Sequence, residues 1–369
     1  MRTSDVAVIG AGIVGLSTAH ALRERGASVT VFERSTPGGA QSGGESRIFR
    51  HAHDDPRLVA FARESRAVWR EWEERFAVEL ISADGTIAIG PRVATRMRAI
   101  DAAGGVSARI VDGAELEGYM PLLAGYEGPA LLDEAGGAIR TRAAVAALTA
   151  SLGDTLVADE VISVAQEGDG VRVEAGGGRS AHGAAIVCAG RETARLGRAL
   201  DCAIPIALSA HVRLTFAVTG APPARLACLQ DGTGRFGEPA VYGAAMPGNA
   251  HFGLGVSTSV RAREDGALLD SDAPATLARR AATYVRRALP RLRPDPVSAR
   301  YCWVTELPWG PDGLAVWERG AVLLVAGHNL FKHAPRLGRA LAAAAAGDGL
   351  PAVLLPDARL GASADVDGA

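Results

Sequence analysis

The sequence predicts an α/β, two-domain fold in which a parallel-sheet domain is interrupted by an inserted antiparallel-sheet domain. Three observations carry that reading. The first 33 residues alternate strand, glycine-rich turn, helix and strand. A second buried strand ending in small residues, Ile186-Val187-Cys188-Ala189-Gly190, lies far downstream. Around these, α/β stretches alternate with strand-rich ones such as 204–216, 240–245 and 251–257, which have turns between them.

Taken in order, residues 5–9 read as a short buried strand and 10–15 as a glycine-rich turn. Leu16, Ala19 and Leu22 share one face of a helix predicted over 16–25, which Gly26 stops. Residues 28–32 form a second strand ending at Glu33, which completes a βαβ unit. Residues 36–50 are a loop dense in Gly and Ser. Leu58, Phe61, Val68, Trp69, Trp72 and Phe76 recur at helical spacing over 57–76 and are assigned to core packing. Strands are expected at 79–81 and 86–89, mixed structure over 107–134, and a helix over 143–152. Residues 155–165 and 170–174 read as a strand pair, and 184–189 as a buried strand. The stretches 204–216, 240–245 and 251–257 are strand-rich, and 274–289 is a basic helix. Strands at 301–305 and 321–326 and a helix over 335–346 follow, with a loose tail after Pro356.

Composition narrows the function. Of 369 residues, 48% are hydrophobic and 22% charged, an ordinary globular balance with room for two domains. A net charge of -2 without a basic block argues against nucleic acid as a partner. No apolar run approaches the ~20 residues of a membrane-spanning helix, and the run at 6–9 is too short for a signal peptide. The expected location is therefore cytoplasmic. Cys188, Cys202, Cys228 and Cys302 lie far apart without a Cys-x-x-Cys pair, so neither a metal site nor a disulfide framework is expected. Nothing in the sequence demands more than a monomer.

Gly10-Ala11-Gly12-Ile13-Val14-Gly15 fits the dinucleotide fingerprint of a Rossmann-like domain. Gly10 permits the tight turn, Gly12 lets the backbone approach a pyrophosphate, and Gly15 lets the helix pack close to the strand. Phosphates then meet the free N–H groups and dipole of a helix N-terminus, where Ile13 and Val14 lie. Glu33 is placed to accept hydrogen bonds from ribose hydroxyls and disfavours the 2′-phosphate of NADP. The choice between NAD and FAD turns on residues 186–190. Flavoproteins of the two-part dinucleotide fold carry such a strand where the chain returns to the nucleotide, here ending at Ala189 and Gly190. Residues 160–164 read as its partner strand, with Val161 a backbone contact for adenine. FAD is the favoured cofactor.

Three further motifs follow in order: Ser42-Gly43-Gly44-Glu45-Ser46-Arg47-Ile48-Phe49-Arg50-His51, then Tyr301-Cys302-Trp303-Val304-Thr305, then Gly327-His328-Asn329-Leu330-Phe331-Lys332-His333-Ala334-Pro335. With the N-terminal unit, they make a chain that resembles the FAD-dependent amine and amino-acid oxidoreductases related to monomeric sarcosine oxidase and N-methyltryptophan oxidase. The resemblance covers most of the chain and is weak over 77–135 and 206–295. It implies that Arg47 lies beside the flavin ring, that Arg50 and Lys332 grip a substrate carboxylate, and that Cys302 attaches FAD covalently. It also places Arg34, Ser42, Ser46, Gly327 and Leu330 at the cofactor, and Tyr242 in the substrate pocket. A guanidinium with a nearby ammonium suits a carboxylate chemically.

Two departures qualify the resemblance. Where the family usually places a lysine over the flavin, this chain has Gly253, which puts rapid turnover with oxygen in doubt. The loop from Gly327 to Phe331 is also shorter and less glycine-rich than the family pattern. The expected domains are 1–76, 135–205 and 296–369 for FAD, and 77–134 and 206–295 for the substrate. The expected reaction is oxidation of a small, carboxylate-bearing amine or amino acid by hydride transfer to flavin N5, with oxygen or another carrier as acceptor. A dehydrogenase or tailoring enzyme of a biosynthetic pathway, an oxidase of hydroxy acids, and a silent FAD-binding protein are the alternatives. An NAD-dependent dehydrogenase is the rival at the level of the cofactor.

Overall fold

A computed structural model describes residues 3–362. Val6, Ala7, Val8 and Ile9 are buried on both faces of the strand Ser4–Ile9, as a central parallel strand requires. That strand pairs in parallel with Val29–Glu33 on one side and Gly178–Val187 on the other. Leu156–Ala158 and Val322–Gly327 extend the parallel sheet outward, and Leu314–Arg319 closes one edge antiparallel. A hairpin of Val161–Glu167 and Gly170–Ala175 completes the eight strands by pairing with Gly178–Val187. Helices Ile13–Glu24 and Ala334–Ala345 pack against one another beside this sheet. Their approach is close: a Cβ on Gly338 would lie 2.7 Å from the carbonyl carbon of Ser17.

The second sheet has nine strands. Their order is Val260–Arg261, Ala207–Ala217, His251–Val256, Val241–Ala245, Cys228–Asp231, Thr86–Ile89, Ala130–Asp133 and Ala108–Val111, with Ser298–Glu306 also paired to Ala207–Ala217. All pairings are antiparallel except that of Cys228–Asp231 with Thr86–Ile89. Strand alternation sorts its two faces. Val212, Leu214, Phe216, Phe252, Leu254 and Val256 enter a core completed by Leu277, Tyr284 and Val285 of the helix Ala273–Ala288. The opposite face carries His211, Arg213, Gly253 and Gly255.

The α/β fold with its inserted sheet is as the sequence predicts, and seven details differ. Of the strand expected at 79–81 only Ile81 pairs, in an isolated bridge with Ile139. The strand expected over 155–165 divides into Leu156–Ala158, paired with Val29–Glu33, and Val161–Glu167. The first helix begins at Ile13, inside the glycine fingerprint, because Gly15 already sits in helical backbone. The loop expected over 36–50 contains a strand, Ser46–Phe49, paired with Gly137–Arg140 and anchored by the fully buried Phe49. Residues 160–164 are not the direct partner of the strand that ends at Val187, because Gly170–Ala175 pairs with both. An additional helix, Val93–Ala103, packs against Pro56–Phe76. The tail after Pro356 is packed through Ala362: Leu360 is fully buried and accepts a hydrogen bond from Trp309 Nε1, and Gly361 N donates to Asp55. The remainder of that tail, 363–369, lies outside the described residues.

Candidate active site

The nucleotide end of the site is built from backbone. Gly10 has a φ of +99°, and a Cβ there would lie 2.6 Å from the carbonyl oxygen of Cys188. A Cβ on Gly15 would lie 1.9 Å from the carbonyl oxygen of Gly10, so only glycine lets helix and turn meet. Ala11 N and Ser35 N donate to the Glu33 carboxylate at 2.9 and 3.0 Å. Ser42 Oγ accepts from Ile13 N at 2.9 Å and ties the following loop to the helix N-terminus. A side chain at Gly12 would press within 3.2 Å of that hydroxyl and fill the cradle. Backbone N–H groups around a glycine turn, a helix N-terminus and a carboxylate at a strand end fit the pyrophosphate and ribose of FAD.

One cavity of about 840 Å³ runs from this turn to the second sheet. Among the residues singled out in the sequence, Gly10, Gly12, Ile13, Val14, Glu33, Arg34, Ser42, Arg47, Arg50, Val161, Ala189, Gly190, Tyr242, Cys302, Gly327, Leu330 and Lys332 line it. Gly15 and Ser46 are not in its wall. Gly15 is spent on packing, and Ser46 is buried with its carbonyl accepting from Arg47 and Arg213.

Arg50 and Lys332 converge, and Asp312 lies with them. Arg50 Nη2 donates to Asp312 Oδ2 at 2.7 Å, His53 Nδ1 is 3.0 Å from the same oxygen, and Lys332 Nζ is 3.7 Å from Oδ1. Asn329 Nδ2 donates to Asp312 Oδ1 at 2.9 Å. The expected carboxylate grip therefore already holds a carboxylate of the chain itself. Burial pushes the Asp312 carboxyl up, but Arg50, Lys332 and His53 hold it well below the usual range. Burial, and then Arg50, hold His53 well below its ordinary value, so it stays neutral. Burial lowers the Lys332 ammonium to about 8 despite Asp312. Its backbone is fixed from the core: Ser65 Oγ and Trp69 Nε1 donate to the Lys332 carbonyl at 2.7 and 3.0 Å. Arg96 stands nearby, bound to Asp54 and Gln230, and burial followed by the charge of Arg50 lowers it to about 10.

The sheet side of the cavity carries Arg47, His211, Arg213, Tyr242 and Cys302. His211 pairs in register with Cys302, and Tyr242 Oη shares a 3.3 Å hydrogen bond with His211 Nδ1. Burial lowers His211 to about 4, so its ring is neutral. Burial, and then the charge of Arg213, bring Arg47 down to about 10. The hydrogen bonds of Arg47 and Arg213 go to carbonyls of the 41–46 segment and the Ser46 hydroxyl. Asp312, His53, His211, Arg213 and Arg96 went unremarked in the sequence. Only the register of distant strands and loops brings them here, and no local motif announces them.

The family model of the FAD dependent oxidoreductases matches residues 5–344. No curated protein matches the sequence. Among solved structures, the open form of NikD, an unusual amino acid oxidase essential for nikkomycin biosynthesis, is similar with a TM-score of 0.84 and 22% identity over 98% of both chains. L-proline dehydrogenase from P. horikoshii gives 0.82 and 18% over 96% of both chains. Glycine oxidase from Geobacillus kaustophilus gives 0.75 and 21% over 99% of both chains. At these identities the likeness is one of fold.

Proposed function

Since the chain belongs to the family of FAD dependent oxidoreductases, we propose that it oxidises the C–N bond of a small amine or amino acid that bears a carboxylate. The observation that carries this reading is a local pair of cations on the sheet side of the cavity: Arg47 and Arg213 line it, and among the described residues their hydrogen bonds go to carbonyls and a hydroxyl. Buried cations of this kind need an anion, and a substrate acid provides one. The amino-acid chemistry of NikD and glycine oxidase, on a similar fold, supports the same substrate class.

FAD falls to the parallel-sheet part, residues 3–76, 135–205 and 307–362, and the substrate to 77–134 and 206–295 together with the strand Ser298–Glu306, which the sequence placed with FAD and which pairs with Ala207–Ala217. Gly10, Gly12, Ile13 and Val14 hold the pyrophosphate, with Gly15 shaping the turn. Glu33 takes the ribose and Val161 the adenine. Arg34, Ser42, Ala189, Gly190, Gly327 and Leu330 complete the cradle, Ser46 behind the wall positions Arg47 and Arg213, and Cys302 is the point of covalent attachment. The chemistry FAD supplies when bound is hydride acceptance at N5 from the α C–H of a neutral amine, leaving an imine that water hydrolyses. Arg47 sets positive charge beside the ring. Arg50 and Lys332, sharing Asp312, retain one net positive charge toward the substrate, and Tyr242 lines its pocket.

A second reading, a dehydrogenase or tailoring enzyme that uses a carrier other than oxygen, is favoured by Gly253. A Cβ at that position would lie 2.9 Å from the Arg213 guanidinium, so no lysine side chain fits there without displacing it.

The experiment is anaerobic mixing of the yellow protein with N-methyl, secondary and primary amino acids. Bleaching is expected with at least one, followed by recovery of colour in air for an oxidase or only with an artificial dye for a dehydrogenase. Unchanged colour with every amine sinks the reading. Acid precipitation then locates the flavin: colour is expected in the pellet, and in the supernatant for Cys302→Ala.

A further inference from the structure

The face of the second sheet that borders the cavity is bared by two glycines. In His251–Val256, Phe252, Leu254 and Val256 enter the core, so Gly253 and Gly255 lie on the cavity face. Arg213 and Tyr242 pair with Gly255 from the strands on either side, which puts all three on one face. A side chain at either glycine would meet the polar end of a neighbouring side chain. A Cβ at 255 would lie 2.5 Å from the Tyr242 hydroxyl, and one at 253 would lie 2.9 Å from both Nε and Nη2 of Arg213. The two polar side chains are thus laid side by side over bare backbone.

Arg213 is 6% exposed and lines the cavity. Its Nη1 donates to the Ser46 carbonyl and its Nη2 to the Ser46 hydroxyl, while Nε is buried without a partner among the described residues. Its in-register neighbour on the other side is another cation, Arg300, and Arg47 is close by. Nothing in these contacts neutralises the guanidinium. Arg50 and Lys332 are in the opposite situation, with Asp312 between them.

We propose that Arg213, beside Tyr242, is the principal anchor of the substrate carboxylate, and that the Arg50–Asp312–Lys332 unit supports it from the other wall. The inference rests on the proposed amine oxidation for its substrate class. A guanidinium whose fork is not committed to a carboxylate of the chain gains most from binding one.

The test titrates holoenzyme with benzoate and with benzamide and follows the visible flavin spectrum. In the native protein benzoate is expected to bind at least about tenfold tighter than benzamide. Arg213→Met should weaken benzoate about a hundredfold and leave benzamide within a factor of about three, values appropriate to a charge-assisted pair. Arg213→Lys should recover part of the loss. Gly253→Ala, which crowds the guanidinium without removing it, should weaken benzoate selectively and serves if Arg213→Met does not hold FAD. Undiminished discrimination between acid and amide in Arg213→Met and Gly253→Ala overturns the proposal. So does a change confined to the flavin spectrum of the free enzyme, which would make Arg213 a partner of the cofactor. If benzoate binding follows Arg213 but no amine bleaches the flavin, the anchor stands and the amine-oxidation reading falls.

Discussion

Lys332 is a single ammonium, 3% exposed, whose ordinary value near 10.5 is lowered to about 8 by burial. Its charged form is therefore lost as pH rises through about 8, while a lysine in water would keep it for two further units. Benzoate stays ionised across that range, so its affinity isolates the protein's charge. We predict that benzoate binding to the holoenzyme weakens about tenfold between pH 7 and 9.5, the effect of one lost cation at close range (~1.4 kcal/mol). Lys332→Met should bind weakly at both ends with no break near 8. A flat native profile would count against a role for Lys332 in holding anions. At this scale Gly10 and Glu33 follow from a local motif and Lys332 from the resemblance, and all three line the cavity. Asp312 was not legible, since an aspartate between Pro311 and Gly313 looks like any turn residue until Arg50 and His53 fold onto it.

Among the elements, the helices Ile13–Glu24 and Ala334–Ala345 connect packing to the cofactor. Gly338 faces the backbone of Ser17 and Thr18, with 2.7–2.8 Å left for a Cβ. Backbone does not yield as a flexible side chain does, so Gly338→Val should separate the helices and cost about 2–3 kcal/mol. Thermal melting should show the loss, together with weaker FAD retention, because the same first helix presents Ile13 and Val14 to the cavity. Gly118 sits in the helix Gly113–Tyr119 with nothing within 4 Å of its missing Cβ, and Gly118→Ala is the control, expected to keep stability or raise it by up to about 1 kcal/mol. Equal melting of the two variants would show that the contact does not limit stability. Most elements were legible because apolar spacing alone sets them. The strand Ser46–Phe49 was not, because its Gly- and Ser-rich surroundings read as loop and its partner, Gly137–Arg140, lies about ninety residues away.

At the level of the whole molecule, the cavity is walled by both sheets, by Val187's neighbours Cys188 and Ala189 on one side and by Arg213 and Tyr242 on the other. FAD bound there would join them. A ligand that binds only the folded state stabilises it by mass action, by about 4 kcal/mol at a thousandfold excess over Kd. Cys302→Ala protein stripped of FAD should therefore melt several degrees lower than the same protein with FAD restored. Identical melting would argue that the cofactor does not bridge the two parts. No helix among the described residues is long and apolar enough to cross a membrane. The nucleotide end of this protein follows from sequence by itself, because a tight turn, a helix start and a strand end are local and impose their residues within some thirty positions. The opposite end of the cavity was decided only by tertiary structure. There, charge balance determines chemistry, and whether Arg50 or Arg213 is neutralised depends on Asp312 and Ser46 arriving from remote segments.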